Sequence, residues 1–357
     1  MNSANKSAAI IDKNLDFINT TNDLAEQYNI YYEGGDESVY NKRFGANRII
    51  HREASIINKA CERILKQIAS DNFGKSIAIT ILDYGCGDGR LFGVIEQLAR
   101  KQLDKHVRIN FIGYDPSIVG INLFEENLLS KGFASHHLNN NHRKILIKQN
   151  LTVKLLVGDV NYDAKQIADT IGSKIDLCLC MFGVLSHIPG RNNRVSILRM
   201  LNESLSNYGE LIVSVCTSNL FSKEVAAYTL LRNQLQLCKN QNISDSVKSR
   251  QSTLRLAAEV GDFYYCSSYG EGKSIDNYTH LYHPTELISD LKSANFSKTS
   301  NVGILSIAHP FNISGNWFKS KLDQIISSIA SLISLIFLSQ TLPNKLGKHM
   351  YVMCRKK

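Results

Sequence analysis

Ile81-Leu82-Asp83-Tyr84-Gly85-Cys86-Gly87-Asp88-Gly89-Arg90-Leu91 is the stretch that decides the fold. An apolar run over 76–84 leads into three alternate glycines, and 91–102 behind them has helical spacing. The pattern reads as strand, tight turn, helix. Glycine has no Cβ, so the turn can be tight and a ligand can come close to its backbone. A dinucleotide fingerprint sets a helix N-terminus against a pyrophosphate. Here the spacing is instead D-x-G-x-G-x-G, with Asp83 two positions ahead of the first glycine. A carboxylate at that point repels a pyrophosphate and accepts hydrogen bonds from an ammonium. The loop therefore favours a ligand with a positive amino group over a nicotinamide dinucleotide.

The same alternation extends to both sides. Upstream, 46–69 carries apolar residues at helical spacing. Downstream, apolar runs at 107–114, 153–157, 175–181 and 210–216 predict strands, and 116–131, 163–171 and 192–205 predict helices, with Pro116 in the first turn of its helix. The polar stretch 136–144 (HHLNNNHRK) predicts a loop. Alternating strands and helices imply a parallel sheet covered on both faces. Right-handed crossovers make it doubly wound, and ligands then bind beyond the carboxyl ends of the strands.

Those ends carry acids. Asp115 closes the second strand, where a carboxylate takes both hydroxyls of an adenosine ribose. Asp159 closes the third, where it accepts from an adenine amine while the Val160 backbone reads the ring edge. Either acid alone also suits a helix N-cap. With Asp83 they stand at the ends of successive strands, which argues for one shared ligand.

LDYGCGDG (82–89), GYDPS (113–117), VGDV (157–160), and MFGVLSHI (181–188) followed by LRMLNESLSNYGELIVSV (198–215) together resemble the class I S-adenosylmethionine (SAM) dependent methyltransferases. The resemblance covers about 79–218. It implies an α/β fold with a doubly wound, seven-stranded sheet, whose sixth and seventh strands (295–306 and 349–355) form an antiparallel pair at one edge. It implies S-adenosyl-L-methionine as cofactor. Asp83, Gly85 and Gly87 would line its methionine moiety, Asp115 its ribose, and Asp159 and Val160 its adenine. Phe182 and Gly183 would flank the sulfonium.

Four regions follow. Residues 1–44 are a partly ordered lead-in, and 45–218 form the SAM-binding core. Residues 219–281 are a helical insertion before strand six, for substrate or lid. Residues 282–357 supply a helix and the terminal strand pair, with an apolar helical insert at 316–340 between strands six and seven. Methyl transfer needs alignment, exclusion of water and, for a protonated acceptor, a base. His187, just past the fourth strand, is the first candidate base, and a packing histidine is the bland alternative. His280 and His283 come next, with a polar lead into a helix at Pro284 as their alternative. Tyr31, Tyr32 and Tyr40 are candidates to lid the cofactor, while His136, His137 and His142 read as solvated.

The eight cysteines are scattered without ligand-like spacing, so reduced thiols are expected and no metal site. Asp12 and Asp16 interrupt the region where a signal peptide would be apolar, and a cytoplasmic protein is expected. The net charge of +9 permits a polyanion but shows no dense basic run. The expected acceptor is a small molecule or hydrophobic metabolite, with RNA (tRNA) as the alternative and a non-catalytic SAM-binding module as the second. The uncharged stretch 324–340 (QIISSIASLISLIFLSQ) has an apolar core of roughly 20 Å as a helix, short of the ~30 Å hydrocarbon layer. It reads as a pocket cover, or as a peripheral membrane contact flanked by Lys319, Lys321, Lys345 and Lys348. Nothing in the sequence sets the oligomeric state.

Overall fold

The computed structural model describes residues 29, 32, 47–71, 77–102, 107–137, 143–158, 164–217, 262–269, 273–307 and 347–356. In chain order the elements are α1 (Asn47–Asp71), β1 (Ile77–Tyr84), α2 (Phe92–Lys101), β2 (Val107–Asp115), α3 (Ile118–Ser130), β3 (Ala134–His137), β4 (Arg143–Lys148) and β5 (Leu151–Val157). Then come α4 (Ala164–Ile171), β6 (Ile175–Cys180), a 3-10 turn (Val184–His187), α5 (Arg191–Ser204), β7 (Leu205–Cys216), β8 (Asp262–Tyr269), β9 (Lys273–His280), α6 (Pro284–Ser293), β10 (Phe296–Ile307) and β11 (Gly347–Lys356).

A single mixed sheet organises these elements, in the order β10-β11-β7-β6-β1-β2-β5-β4-β3. The five central strands β7, β6, β1, β2 and β5 are parallel. The terminal pair expected at one edge is present: β10 runs antiparallel to β11, and β11 antiparallel to β7. Alternate residues of the central strands feed two cores. Ile79, Ile81, Ile109, Phe111, Leu177 and Leu179 pack under α1, α2 and α3. Leu82, Tyr84, Ile112, Tyr114, Cys178 and Cys180 pack under α4, α5 and α6. This is the period-two pattern of a sheet buried on both faces. Phe92 anchors the first core, meeting Phe111, Phe124 and Phe133 edge to face at 5.4–5.7 Å between ring centroids. Burying each such ring contributes about 1.5–3 kcal/mol.

Four expectations are corrected. The sheet has nine strands among the described residues, not seven, because β3 and β4 form an antiparallel hairpin on the edge of β5. The stretch 136–144 is therefore not simply a loop. His136 and His137 lie in an edge strand, and β4 alternates, with Leu146 fully buried and its neighbour Ile147 exposed. Within the insertion taken as helical over 219–281, residues 262–280 hold an antiparallel hairpin, β8 and β9. Its Tyr- and Phe-rich strand suits a pleated surface better than a helix. Lastly, Pro116 precedes α3 instead of lying in its first turn. Ser117 is the N-cap, its Oγ accepting from Gly120 N–H at 3.1 Å.

The remainder of the lead-in, residues 219–261 of the expected helical insertion, and the apolar insert 316–340 lie outside the described residues. No helix among the described residues is long and apolar enough to cross a membrane.

Candidate functional site

Strand order reverses at β1, whose neighbours are β2 on one side and β6 on the other. The crevice beyond their carboxyl ends is the switch point where α/β sheets bind ligands. The glycine loop forms its floor. Gly85 N–H and Cys86 N–H both donate to Tyr114 O, at 2.7 and 3.1 Å, which ties the loop to the end of β2. Gly87 has φ +54°, and a Cβ there would collide with the Tyr32 hydroxyl. Glycine is needed at that position both for its conformation and for the close approach of Tyr32. Asn29 sits beside it, its Oδ1 accepting from Ser117 Oγ at 2.8 Å. Of the three tyrosines expected as a lid, Tyr32 is thus placed on the glycine loop, and Tyr31 and Tyr40 lie outside the described residues.

Asp115 takes one backbone donor on each oxygen, Gly87 N–H on Oδ2 and Ser117 N–H on Oδ1, both at 2.8 Å. A carboxylate oxygen has two acceptor sites, so each keeps one for a ligand. Burial pushes the Asp115 carboxyl up to about 6, against the pull of these two N–H groups. Asp83 is different. It is 2% exposed, and no hydrogen-bond donor to its side chain is found among the described residues. Burial drives its carboxyl up to about 7. The Arg90 guanidinium opposes this, and the charges of Asp115 and Glu53 add to it. A buried carboxylate without a donor is costly unless a ligand completes it.

Arg90 was not singled out by the sequence, although it directly follows the third glycine. The fully buried Glu53 of α1 grips it through both terminal nitrogens, the Nη2–Oε1 bond being 3.1 Å. Its guanidinium lies 4.5 Å from the centre of the Phe182 ring. Phe182 also stacks on His349 of β11, with centroids 5.9 Å apart and planes 8° from parallel. Phe182 has φ +61°, an uncommon conformation for a residue with a side chain, and its N–H donates to Ser214 Oγ at 2.6 Å. Gly183 N–H donates to Ser214 O at 3.1 Å. Non-glycine residues held in this region cluster at functional sites.

The structure thus brings Asp83, Gly85, Gly87, Asp115, Phe182 and Gly183 to the ends of β1, β2 and β6. Asp159 and Val160 lie outside the described residues. Just beyond is His187, at the end of the 3-10 turn. It is half-buried, and its Nδ1 lies 2.9 Å from Tyr278 O of β9. Burial holds its pKa below the usual histidine value, against that bond.

His280 and His283 lie apart from this crevice. His280 is fully buried, with Nδ1 2.7 Å from Asp262 Oδ1 and Nε2 2.9 Å from Glu286 Oε1. Burial presses its pKa down, but the two carboxylates outweigh burial and the net direction is up. Arg194, also fully buried, donates to Tyr278 Oη at 3.3 Å and lies over the Tyr282 ring. His283 is the N-cap of α6, with Pro284 in the first turn. The bland reading therefore holds for His283, whereas His280 belongs to a buried ion cluster. No sequence signal announced that cluster, because its members come from α5, β8, β9 and α6.

No family model matches the chain, and no curated protein sequence matches it. Among solved structures, the chain is similar to a SAM-dependent methyltransferase from Clostridium acetobutylicum, at 12% identity and TM-score 0.44, over 89% of this chain and 96% of that one. It is also similar to one from Methanosarcina mazei, at 14% identity and TM-score 0.44, over 80% and 95%. A third likeness is to the CcbJ methyltransferase from Streptomyces caelestis, at 11% identity and TM-score 0.42, over 93% and 97%.

Proposed function

We propose that the chain is a SAM-dependent methyltransferase that acts on a small or hydrophobic acceptor. The observation that carries this reading is Asp83. It is a buried carboxylate short of donors, at the mouth of a glycine loop, facing a second buried acid that keeps acceptor sites on both oxygens. An α-amino group completes the first acid and a ribose diol the second. SAM carries both, and when bound it supplies an electrophilic methyl on a sulfonium whose leaving group is a neutral thioether.

The residues divide the work. Asp83 binds the ammonium, and the backbone at Gly85 and Gly87 lets the methionine chain lie close. Asp115 orients the ribose, and Asp159 with Val160 holds the adenine. Phe182 and Gly183, fixed by Ser214, Arg90 and His349, line the sulfonium end. His187 takes a proton from the acceptor. Its lowered pKa keeps it neutral, and therefore basic, near pH 7.

Calorimetric titration of the full-length protein with SAM tests the cofactor. Methyl incorporation from labelled SAM into small-molecule and tRNA fractions then tests the acceptor class. Labelling confined to tRNA would contradict the small-acceptor part and leave the cofactor part standing.

A further inference from the structure

Tyr278 faces two ways. Its backbone carbonyl lies 2.9 Å from His187 Nδ1. Its hydroxyl donates to Asp262 Oδ1 at 2.8 Å and accepts from Arg194 Nη1 at 3.3 Å. A carbonyl can only accept, so the Nδ1 of His187 must carry the proton in that bond. In a neutral imidazole the lone pair is then on Nε2.

What holds Tyr278 is itself over-determined. Asp262 Oδ1 takes both the Tyr278 hydroxyl and His280 Nδ1–H, the latter at 2.7 Å. His280 Nε2 lies 2.9 Å from Glu286 Oε1 and 3.3 Å from Arg194 Nη2. An imidazolium satisfies the geometry by donating to Asp262 and Glu286 at once. A neutral ring satisfies it by donating to Asp262 and accepting from Arg194. In both states Nδ1–H stays on Asp262, so the anchor of Tyr278 survives a change in the charge of His280. The groups facing His280 are Asp262 from β8, Tyr278 from β9, Arg194 from α5 and Glu286 from α6, with the Tyr282 ring edge-on at 4.7 Å.

We propose that Tyr278, Asp262 and His280 are positioning residues that fix His187 in its Nδ1–H tautomer and so make Nε2 its proton-accepting atom. This rests on the methyltransferase reading above. In the step concerned, a lone pair of the acceptor heteroatom forms the bond to the methyl carbon. The C–S bonding pair leaves with sulfur, and the acceptor's proton passes to His187 Nε2. The resulting imidazolium keeps its Nδ1–H on Tyr278 O, which spreads the new charge onto a fixed dipole.

Long-range 1H–15N correlation spectra of full-length protein labelled at histidine read the tautomer directly, without an acceptor. His187→Gln assigns the signal. The wild type is expected to show a neutral His187 at pH 7 with its proton on Nδ1. In Tyr278→Phe the carbonyl remains but its anchor is lost, and the Nε2–H population should rise about fivefold, the scale of one hydrogen bond. His280→Gln should act in the same direction. If Tyr278→Phe fails to fold, Asp262→Asn, which weakens the acceptor shared by the Tyr278 hydroxyl and His280 Nδ1–H, carries the same test. A wild-type His187 protonated on Nε2 overturns the proposal, and so do folded variants with an unchanged tautomer. A parallel SAM titration of the wild type separates this failure from failure of the cofactor assignment.

Discussion

The crevice at the ends of β1 and β2 and the cluster between α5 and β9 both bury carboxylates, and they treat them in opposite ways. In the cluster each acid meets a cation or donor of the chain: Asp262 meets His280 and Tyr278, Glu286 meets His280 and Arg194, and Asp290 meets Arg191 through Oδ1 at 2.7 Å, its Oδ2 having no hydrogen-bond partner among the described residues. Glu210, midway along β7, is likewise held between Arg63 and Arg355. In the crevice Asp83 has Arg90 nearby, but Arg90 is already gripped by Glu53. One region pairs its charges within the fold, and the other holds a buried carboxylate that, on the proposed reading, a ligand completes. Substitutions should therefore move stability in opposite directions in the two regions.

The largest effect is expected in the cluster. Arg194→Met removes the buried cation that meets Glu286, His280 and Tyr278, which costs about 3–5 kcal/mol. Urea unfolding should show it as a fall in midpoint, and an unchanged midpoint would break the contrast. In the crevice Asp83→Asn should do the reverse. The folded carboxyl titrates at about 7, above its unfolded value, so its contribution to stability is full at low pH and lost as pH rises through about 7. A neutral amide avoids that loss, and the variant should gain about 1–3 kcal/mol at pH 8. The same change should weaken SAM binding by about 30-fold or more, the lower bound for breaking a buried charged pair.

Much of this contrast was half-visible in the sequence. The five parallel strands could be read because each is an apolar run between turn residues, whereas the terminal pair was expected only from the methyltransferase resemblance. Asp83, Asp115 and the glycines could be read because a strand end fixes where they point. The edge hairpin was missed because His136, His137 and the asparagines mask a strand that buries one face only. The ion cluster was missed for a different reason. Arg194, Asp262, His280 and Glu286 are distant in sequence, and only the packing of α5, α6 and β9 joins them. Arg90 was missed because its partner, Glu53, lies on a helix before the first strand.

Smaller effects refine the crevice. Gly87→Ala places a methyl against Tyr32 and forces a residue with a side chain to φ +54°, at about 1–2 kcal/mol. SAM affinity should fall roughly tenfold, and Tyr32→Ala should restore part of it in the double variant if the collision with Tyr32 is the cause. The pH dependence comes last. Asp83 must be ionised to bind an ammonium, so affinity should fall about tenfold per pH unit below its value of about 7. It should decline again above about 8, where a free α-amino group loses its proton. A profile flat from pH 5.5 to about 7 would show that Asp83 is not the ammonium partner.

The central claim is that this crevice is a SAM site, and titration of wild type and Asp115→Ala with SAM tests it most directly. Asp115 ties Gly87 of the glycine loop to Ser117 at the head of α3. The account predicts saturable binding by the wild type, and its loss in a variant that keeps the wild-type circular dichroism. Equal binding by both proteins, or none by the folded wild type, would contradict it.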